Sequence, residues 1–374
     1  MKKVGFVGWR GMVGSVLVDR MKEEEDFNNI NAFFFTTSQV GMEAPNIING
    51  EKILLDAHSI KKLSEMDIIL SCQGGDYTEK VYVNLKKENW TGHWIDAAST
   101  LRMADESVLV LDPINESAIN NALKKGTKTW VGGNCTVSLM LLAIHGLLKE
   151  GAIEWVSSMT YQAASGAGAK NMKELLVQMG QLHASTESEI KKPDFNILDI
   201  DKMVLKKMHS PEFIKENFQV PLAGNLIPWI DQDLGEGLSK EEWKGQFETN
   251  KILMNDYEKI HVDGLCTRIG SMRSHSQALT IKLKKHYELT EINDLIKSAN
   301  KWVKLVPNQK EASIHNLTPA AVSGSLDIAI GRVRRLALGD NLISAFTVGD
   351  QLLWGAAEPL RRMLKILIIK DKIN

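Results

Sequence analysis

The chain begins with an apolar run that stops on a glycine, and that stop restricts the fold more than any other feature. Val4-Gly5-Phe6-Val7-Gly8 reads as a buried strand, and Met12–Met21 has the 3.6-residue spacing of an amphipathic helix. Between them lies the turn Gly8-Trp9-Arg10-Gly11-Met12-Val13-Gly14. Glycines there allow a tight strand-to-helix turn and let the backbone approach a pyrophosphate at the helix N-terminus. The spacing is G-x-x-G-x-x-G, one residue longer than the dinucleotide fingerprint, so alone it also fits a plain turn. Its place, after an N-terminal strand and opening a helix, favours the nucleotide.

Further strands are expected at Asn31–Thr36, Met66–Cys72, His93–Asp96, Val108–Leu111 and Lys128–Val131, with helical stretches such as Tyr77–Lys87 between them. That alternation predicts an α/β fold with a mostly parallel, Rossmann-type sheet whose ligands lie at the carboxyl edge. The second strand ends in Thr36-Thr37-Ser38, where an NAD site wants a carboxylate for the ribose 2′-hydroxyl. Thr37, Ser38 and Arg10 suit a 2′-phosphate instead, so NADP is favoured over NAD. Two loops at the same edge carry Gln73-Gly74-Gly75-Asp76 and Asp96 through Arg102. Arg102 reads equally well as a solvated charge or as an anion clamp.

At 374 residues the chain exceeds one comfortable core, and two domains are expected. The join falls at Gly132-Gly133-Asn134-Cys135-Thr136, which precedes the apolar helical run Val137–Leu148. Cys135 then sits at a helix N-terminus, capped by Asn134 or Thr136, where the dipole and free N–H groups lower a thiol pKa. A lone cysteine is more often a small buried filler, so the rest of the chain must decide. A strand Ile153–Gln162 leads through Ala163-Ala164-Ser165-Gly166 into a helix Lys170–His183, and Ser188–Asn225 reads as an irregular surface excursion. A helix from Glu241 to about Met254 has Ser239 as its cap and places Glu241 and Lys244 on one face, able to pair. Lys259–Gly270 and Ser276–Lys285 alternate like neighbouring antiparallel strands of a second sheet, with Leu326–Leu336 and Ala345–Val348 as further strands. Asp350–Lys365 reads as a helix returning to the first domain.

Composition excludes several classes. A formal net charge of -1 with 24% charged residues offers no basic field for nucleic acid. Three cysteines without CxxC spacing argue against a disulfide framework or a zinc ribbon, and no metal site is expected. Arg10 breaks the first apolar run too early for a signal peptide, and Leu364–Ile369 is too short to span a bilayer. A cytoplasmic protein without a membrane partner is expected.

Six segments in order carry a resemblance over essentially the full length. They are the glycine turn, Gly132 through Met140, Tyr161-Gln162-Ala163-Ala164-Ser165-Gly166, Glu241-Glu242-Trp243-Lys244-Gly245, Arg268 through His275, and Phe346 through Gln351. Together they resemble the aspartate-β-semialdehyde dehydrogenases of the bacterial type. Ala167 and Ser274 stand where many relatives have glycine and some have cysteine, both small replacements.

The resemblance implies an NADP-binding domain over 1–133 and 355–374 and an α+β catalytic and dimerisation domain over 134–354, with a mostly antiparallel sheet. It implies reversible, NADPH-dependent conversion of aspartyl phosphate to aspartate semialdehyde and phosphate, in the biosynthesis of lysine and diaminopimelate, threonine, methionine and isoleucine. Cys135 would be the nucleophile that carries a thioester, His275 the general base, and Gln162 the group orienting the thiohemiacetal. Arg268 would hold the substrate carboxylate as a fork, Glu241 the ammonium, and Arg102 and Lys244 the phosphate. Gly8, Arg10, Gly11, Met12, Val13, Thr37, Ser38, Gln73, Ser165, Gly166, Pro193 and Gln351 would surround NADP, and a homodimer is implied. Glyceraldehyde-3-phosphate dehydrogenase and acylglutamyl-phosphate reductase share the Cys and His chemistry but lack this combination of segments. A silent NADP-binding sensor or subunit is the alternative outside catalysis, against which both Cys135 and His275 are present.

Overall fold

The computed structural model describes residues 1–254 and 256–370. Residues 371–374 of the expected first domain lie outside the described residues. Strands β1 (Lys2–Val7), β2 (Ile30–Thr36), β3 (Leu55–Asp56), β4 (Ile68–Ser71), β5 (His93–Asp96), β6 (Ser107–Val110) and β7 (Thr129–Gly132) form one wholly parallel sheet. Its order is β3-β2-β1-β4-β5-β7-β6, so the strand order reverses beside β1, and a cleft opens there at the carboxyl edge. Gly8 follows β1 at φ 72, and a Cβ on it would lie 2.5 Å from the backbone of Cys72 after β4. A Cβ on Gly14 would lie 2.2 Å from the Gly8 carbonyl oxygen, so the first helix, Met12–Glu23, can press onto the turn only through glycine.

Phe6, Leu17, Met21 and Phe34 form the core of one face of this sheet together with Leu360, Met363, Leu364 and Leu367. Those last four belong to the helix Glu358–Lys370, which therefore packs on the first sheet. It starts later than the sequence suggests. Asp350 is still strand, and a wide turn over Leu353–Ala357 intervenes.

The second sheet comprises β8 (Ile153–Gln162), β9 (Leu226–Ile227), β10 (His261–Ile269), β11 (Ser274–Leu283), β12 (Val303–Leu305), β13 (Ile328–Arg335) and β14 (Leu342–Asp350). The order β12-β13-β14-β11-β8-β10-β9 corrects one expectation: β10 and β11 are not neighbours, because β8 lies between them. β8 runs parallel to β10 and antiparallel to β11. Alternation within each strand reveals its faces but not its partner. The sheet is mixed and mostly antiparallel.

The expected excursion over 188–225 contains a helix, Ile197–Met208, capped by Asn196, whose side chain accepts from the Leu198 amide at 3.0 Å. Ile200, Met203, Val204 and Met208 recur at helical spacing on its covered face, while Ile197, Leu198 and Leu205 face outward. The run after Cys135 is two helices, Cys135–Ala143 and His145–Lys149, parted at Ile144. The first is buried on every side from Thr136 to Ala143. It shares one core with Leu109 and Val131 of the first sheet and Ile281 and Ile343 of the second.

Candidate active site

Asn134 caps the helix that opens on Cys135: its side-chain oxygen accepts from the amides of Thr136 at 3.0 Å and Val137 at 3.2 Å. Cys135 is the first helical residue, its Sγ 3.3 Å from His275 Nε2. The Ala163 amide donates to His275 Nδ1 at 3.0 Å, so the neutral ring carries its proton on Nε2, facing the sulfur. This geometry makes the ring a donor at rest, whereas the expected general-base role needs a free lone pair on Nε2. To accept a proton at Nε2, the ring must first release the Ala163 amide.

The expected lowering of the thiol pKa is corrected. Cys135 opens only narrowly to the cavity, and burial pushes its pKa up to about 12. The Glu241 carboxylate adds to that rise, while Arg102, Arg268 and Lys244 oppose it. Burial, with help from Arg268, holds His275 well below its ordinary value. The resting pair is therefore thiol and neutral imidazole.

Register builds the opposite wall. Arg268 pairs with Gln162 across the parallel β10–β8 ladder, so both side chains point to the same face. Arg268 is buried and donates to the Ala163 carbonyl at 2.7 Å, and among the described residues no carboxylate pairs with it. Burial lowers its pKa from the usual guanidinium value. A Cβ on Gly166 would stand 2.8 Å from Arg268 Nη1 and 3.1 Å from His275, so glycine keeps that corner open.

The helix Lys240–Leu253 supplies the floor, started by a capping box between Ser239 and Glu242. Glu241 accepts from Asn134 at 2.9 Å, Gln162 at 3.1 Å and Lys244 at 3.0 Å. Burial alone would push the Glu241 carboxyl up, but Lys244 and these bonds hold it below the usual range. Lys244 also pairs with Asp231 at 2.5 Å; burial would lower its pKa, yet the two carboxylates raise it. Arg102 donates from Nε to the Gly132 carbonyl at 2.8 Å and from Nη1 to Glu248 at 3.0 Å.

A cavity of about 420 Å³ is lined by Val13, Arg102, Cys135, Gln162, Gly166, Glu241, Lys244, Arg268 and Gln351, among others. A second, of about 380 Å³, is lined by Gly8, Arg10, Gly11, Thr37 and Gln73 among others. Arg10 Nη2 donates to the hydroxyls of Thr36 at 3.1 Å and Ser38 at 3.3 Å. A dinucleotide fits this arrangement. Gln351 Oε1, in the wall of the first cavity, is buried without a hydrogen-bond partner among the described residues. Met12, Ser38, Ser165 and Pro193 line neither cavity. Met12 begins its helix, the Ser165 hydroxyl donates to the Arg273 carbonyl at 3.0 Å, and Pro193 is exposed after the helix Ala169–Ile190. Among the described residues no cluster of three His, Cys, Asp or Glu side chains is placed to hold a metal, and no helix is long and apolar enough to cross a membrane.

Two site residues escaped the sequence reading. Glu248 falls four residues after Lys244 and seven after Glu241, a helical spacing that announces a shared face. Asp231 sits in a loop at φ 71, with no periodic signal to betray it.

Models of the semialdehyde dehydrogenase NAD-binding domain and of the semialdehyde dehydrogenase dimerisation domain match residues 3–122 and 144–354. An aspartate semialdehyde dehydrogenase from Francisella tularensis is 52% identical, with a TM-score of 0.93, covering 98% of this chain and 100% of that one. Aspartate semialdehyde dehydrogenase II from Vibrio cholerae, solved in complex with ASA, shares the fold at 21% identity and a TM-score of 0.80, over 99% of this chain and 98% of that one. A Candida albicans aspartate semialdehyde dehydrogenase solved with NADP shares the fold at 15% identity and a TM-score of 0.65, over 99% of each chain.

Proposed function

This chain belongs to the semialdehyde dehydrogenase family, among its aspartate-semialdehyde dehydrogenases, and from that membership we propose that it interconverts L-4-aspartyl phosphate and L-aspartate 4-semialdehyde with NADPH. The observation that carries the reading is one cavity lined by Cys135, Arg268, Arg102 and Lys244, with His275 behind the sulfur at 3.3 Å and no carboxylate paired with Arg268 among the described residues. It serves the aspartate-derived amino acids: lysine and diaminopimelate, threonine, methionine and isoleucine.

In the reductive direction the Cys135 sulfur attacks the acyl carbon of aspartyl phosphate, the C–O bond to phosphate breaks to leave a thioester, and the thiol proton passes to the departing phosphate. Arg102 and Lys244 hold the departing phosphate, and Arg268 and Glu241 fix the carboxylate and ammonium of the aspartyl group. Bound NADPH supplies the hydride that reduces the thioester. His275 Nε2–H and the Gln162 amide stabilise the oxyanion of the resulting thiohemiacetal, which releases aldehyde and returns the sulfur. Arg10, with Thr37 and Ser38 and no carboxylate at the end of β2, supports NADP over NAD. Gly8, Gly11, Met12 and Val13 would take the pyrophosphate, and Gln73, Ser165, Gly166, Pro193 and Gln351 the rest of the cofactor.

A homodimer follows from the same membership. Met159 and Tyr161 on β8 and Leu265 on β10 are exposed on the sheet face away from the site, which suits a second copy. The three cysteines are free, as a cytoplasmic home would keep them.

The test is absorbance of NADPH formed from NADP and aspartate semialdehyde, with and without phosphate, beside Cys135→Ala. Phosphate-dependent formation that disappears in the variant is expected. Turnover without phosphate would remove the roles of Arg102 and Lys244. Binding of NADP without turnover would leave a silent subunit.

A further inference from the structure

Glu248 is 1% exposed, yet its carboxylate touches no solvent-facing cation and instead binds two parts of the site. One oxygen accepts from Arg102 Nη1 at 3.0 Å, and the other accepts from the backbone amide of Asn134 at 2.6 Å. Arg102 is held from a second side by the Gly132 carbonyl, which takes its Nε–H at 2.8 Å. With Nε and Nη1 so engaged, the guanidinium is held at two points, and its remaining N–H groups are free for an anion in the cavity that Arg102 lines. The Asn134 amide belongs to the cap of the nucleophile helix, one residue before Cys135. Glu248 itself rides on the helix that carries Glu241 and Lys244.

We propose that Glu248 is the positioning residue of the phosphate pocket. Its single carboxylate fixes the direction of Arg102 and ties it to the backbone that carries Cys135, so the anion ligand and the nucleophile keep one spacing. The proposal rests on the reading of Arg102 as a phosphate ligand. Its charge argues the opposite way: a carboxylate beside Arg102 weakens the field on an incoming anion. Removing that charge would then tighten phosphate binding, unless orientation matters more. Orientation wins here because both partners are donors and the site is buried. A glutamine would accept from one of them and turn its own N–H toward the other.

The test is steady-state kinetics of the full-length enzyme in the oxidative direction, varying phosphate and semialdehyde separately. Wild type, Glu248→Gln, Glu248→Asp, Arg102→Ala and the double variant Arg102→Ala/Glu248→Gln are compared. Glu248→Gln should raise KM for phosphate about tenfold or more while KM for semialdehyde stays within about twofold. Glu248→Asp, which keeps the charge but is shorter, should show a smaller rise. It also carries the comparison if Glu248→Gln does not fold. On the Arg102→Ala background, Glu248→Gln should change KM for phosphate no further than about twofold. A lower phosphate KM, equal changes in both KM values, a loss of thermal stability alone, or full additivity in the double variant would each overturn the proposal. If Arg102→Ala raises phosphate KM and both Glu248 variants do not, only this inference fails. A wild type indifferent to phosphate would take the reading of the reaction down with it.

Discussion

A thiolate at a helix N-terminus gains about 0.3–1 kcal/mol from the dipole, and ~2 in a favourable, partly buried setting. Burial shifts a pKa by as much as about 3–5 units, each worth ~1.4 kcal/mol. At Cys135 the second effect wins, which is why position in the sequence alone misjudges this sulfur. Three cations face it, but the nearest carboxylate, Glu241, works against them. Alkylation of Cys135 in the free enzyme should therefore climb about tenfold per pH unit between 7 and 9, because only the thiolate reacts. Iodoacetamide labelling followed by mass spectrometry of the Cys135 peptide measures this. A rate that is level from pH 6 to 8 would mean a preformed thiolate–imidazolium pair and would contradict both the buried thiol and the ring held by Ala163.

The element that matters most is the short helix Cys135–Ala143, whose cap does two jobs at once. Asn134 accepts the first amides of the helix and donates to Glu241 at 2.9 Å. Asn134→Asp keeps the acceptor, and aspartate caps as well as asparagine. It also sets a second carboxylate against Glu241. Because the two carboxylates are buried and the hydrogen bond between the side chains is lost, the variant should lower the unfolding midpoint by a few degrees, about 1–3 kcal/mol, while kcat/KM falls about tenfold or more. An unchanged midpoint with full activity would mean that the contact between Asn134 and Glu241 contributes to neither. This cap was legible in the sequence because Asn before an apolar helical run has a local cause. So were the cap at Ser239 and the Glu241–Lys244 pair, the pair resting on a spacing of three. The order of the second sheet was not, since period-two alternation in β10 and β11 is the same whether they touch or flank β8. Asp231 was illegible for a related reason: its meeting with Lys244 depends on where a loop returns, which no periodicity records.

Across the whole molecule, the last helix is bound to the first domain by charge as well as by packing. Arg361, with its side chain 3% exposed, bridges Glu358 at 2.8 Å and Asp26 at 2.7 Å. Arg361→Ala would leave buried Asp26 without its cation and Glu358 with Arg20 alone, at 3.3 Å, a loss of about 3 kcal/mol. The melting midpoint should drop by about 4 °C, with limited proteolysis cutting first in the helix Glu358–Lys370. An unchanged midpoint would mean that this clamp adds nothing to the apolar contacts of Leu360, Met363 and Leu364. Those contacts also bear on how the protein is made. The strands of the parallel sheet leave the ribosome early, yet the side chains that seal one of its faces follow more than half the chain later. At about 5–20 residues per second that interval is on the order of tens of seconds. Throughout it the nascent sheet holds open an apolar slot that only the helix Glu358–Lys370 can fill. The sheet made first is thus sealed only after the second sheet has been made.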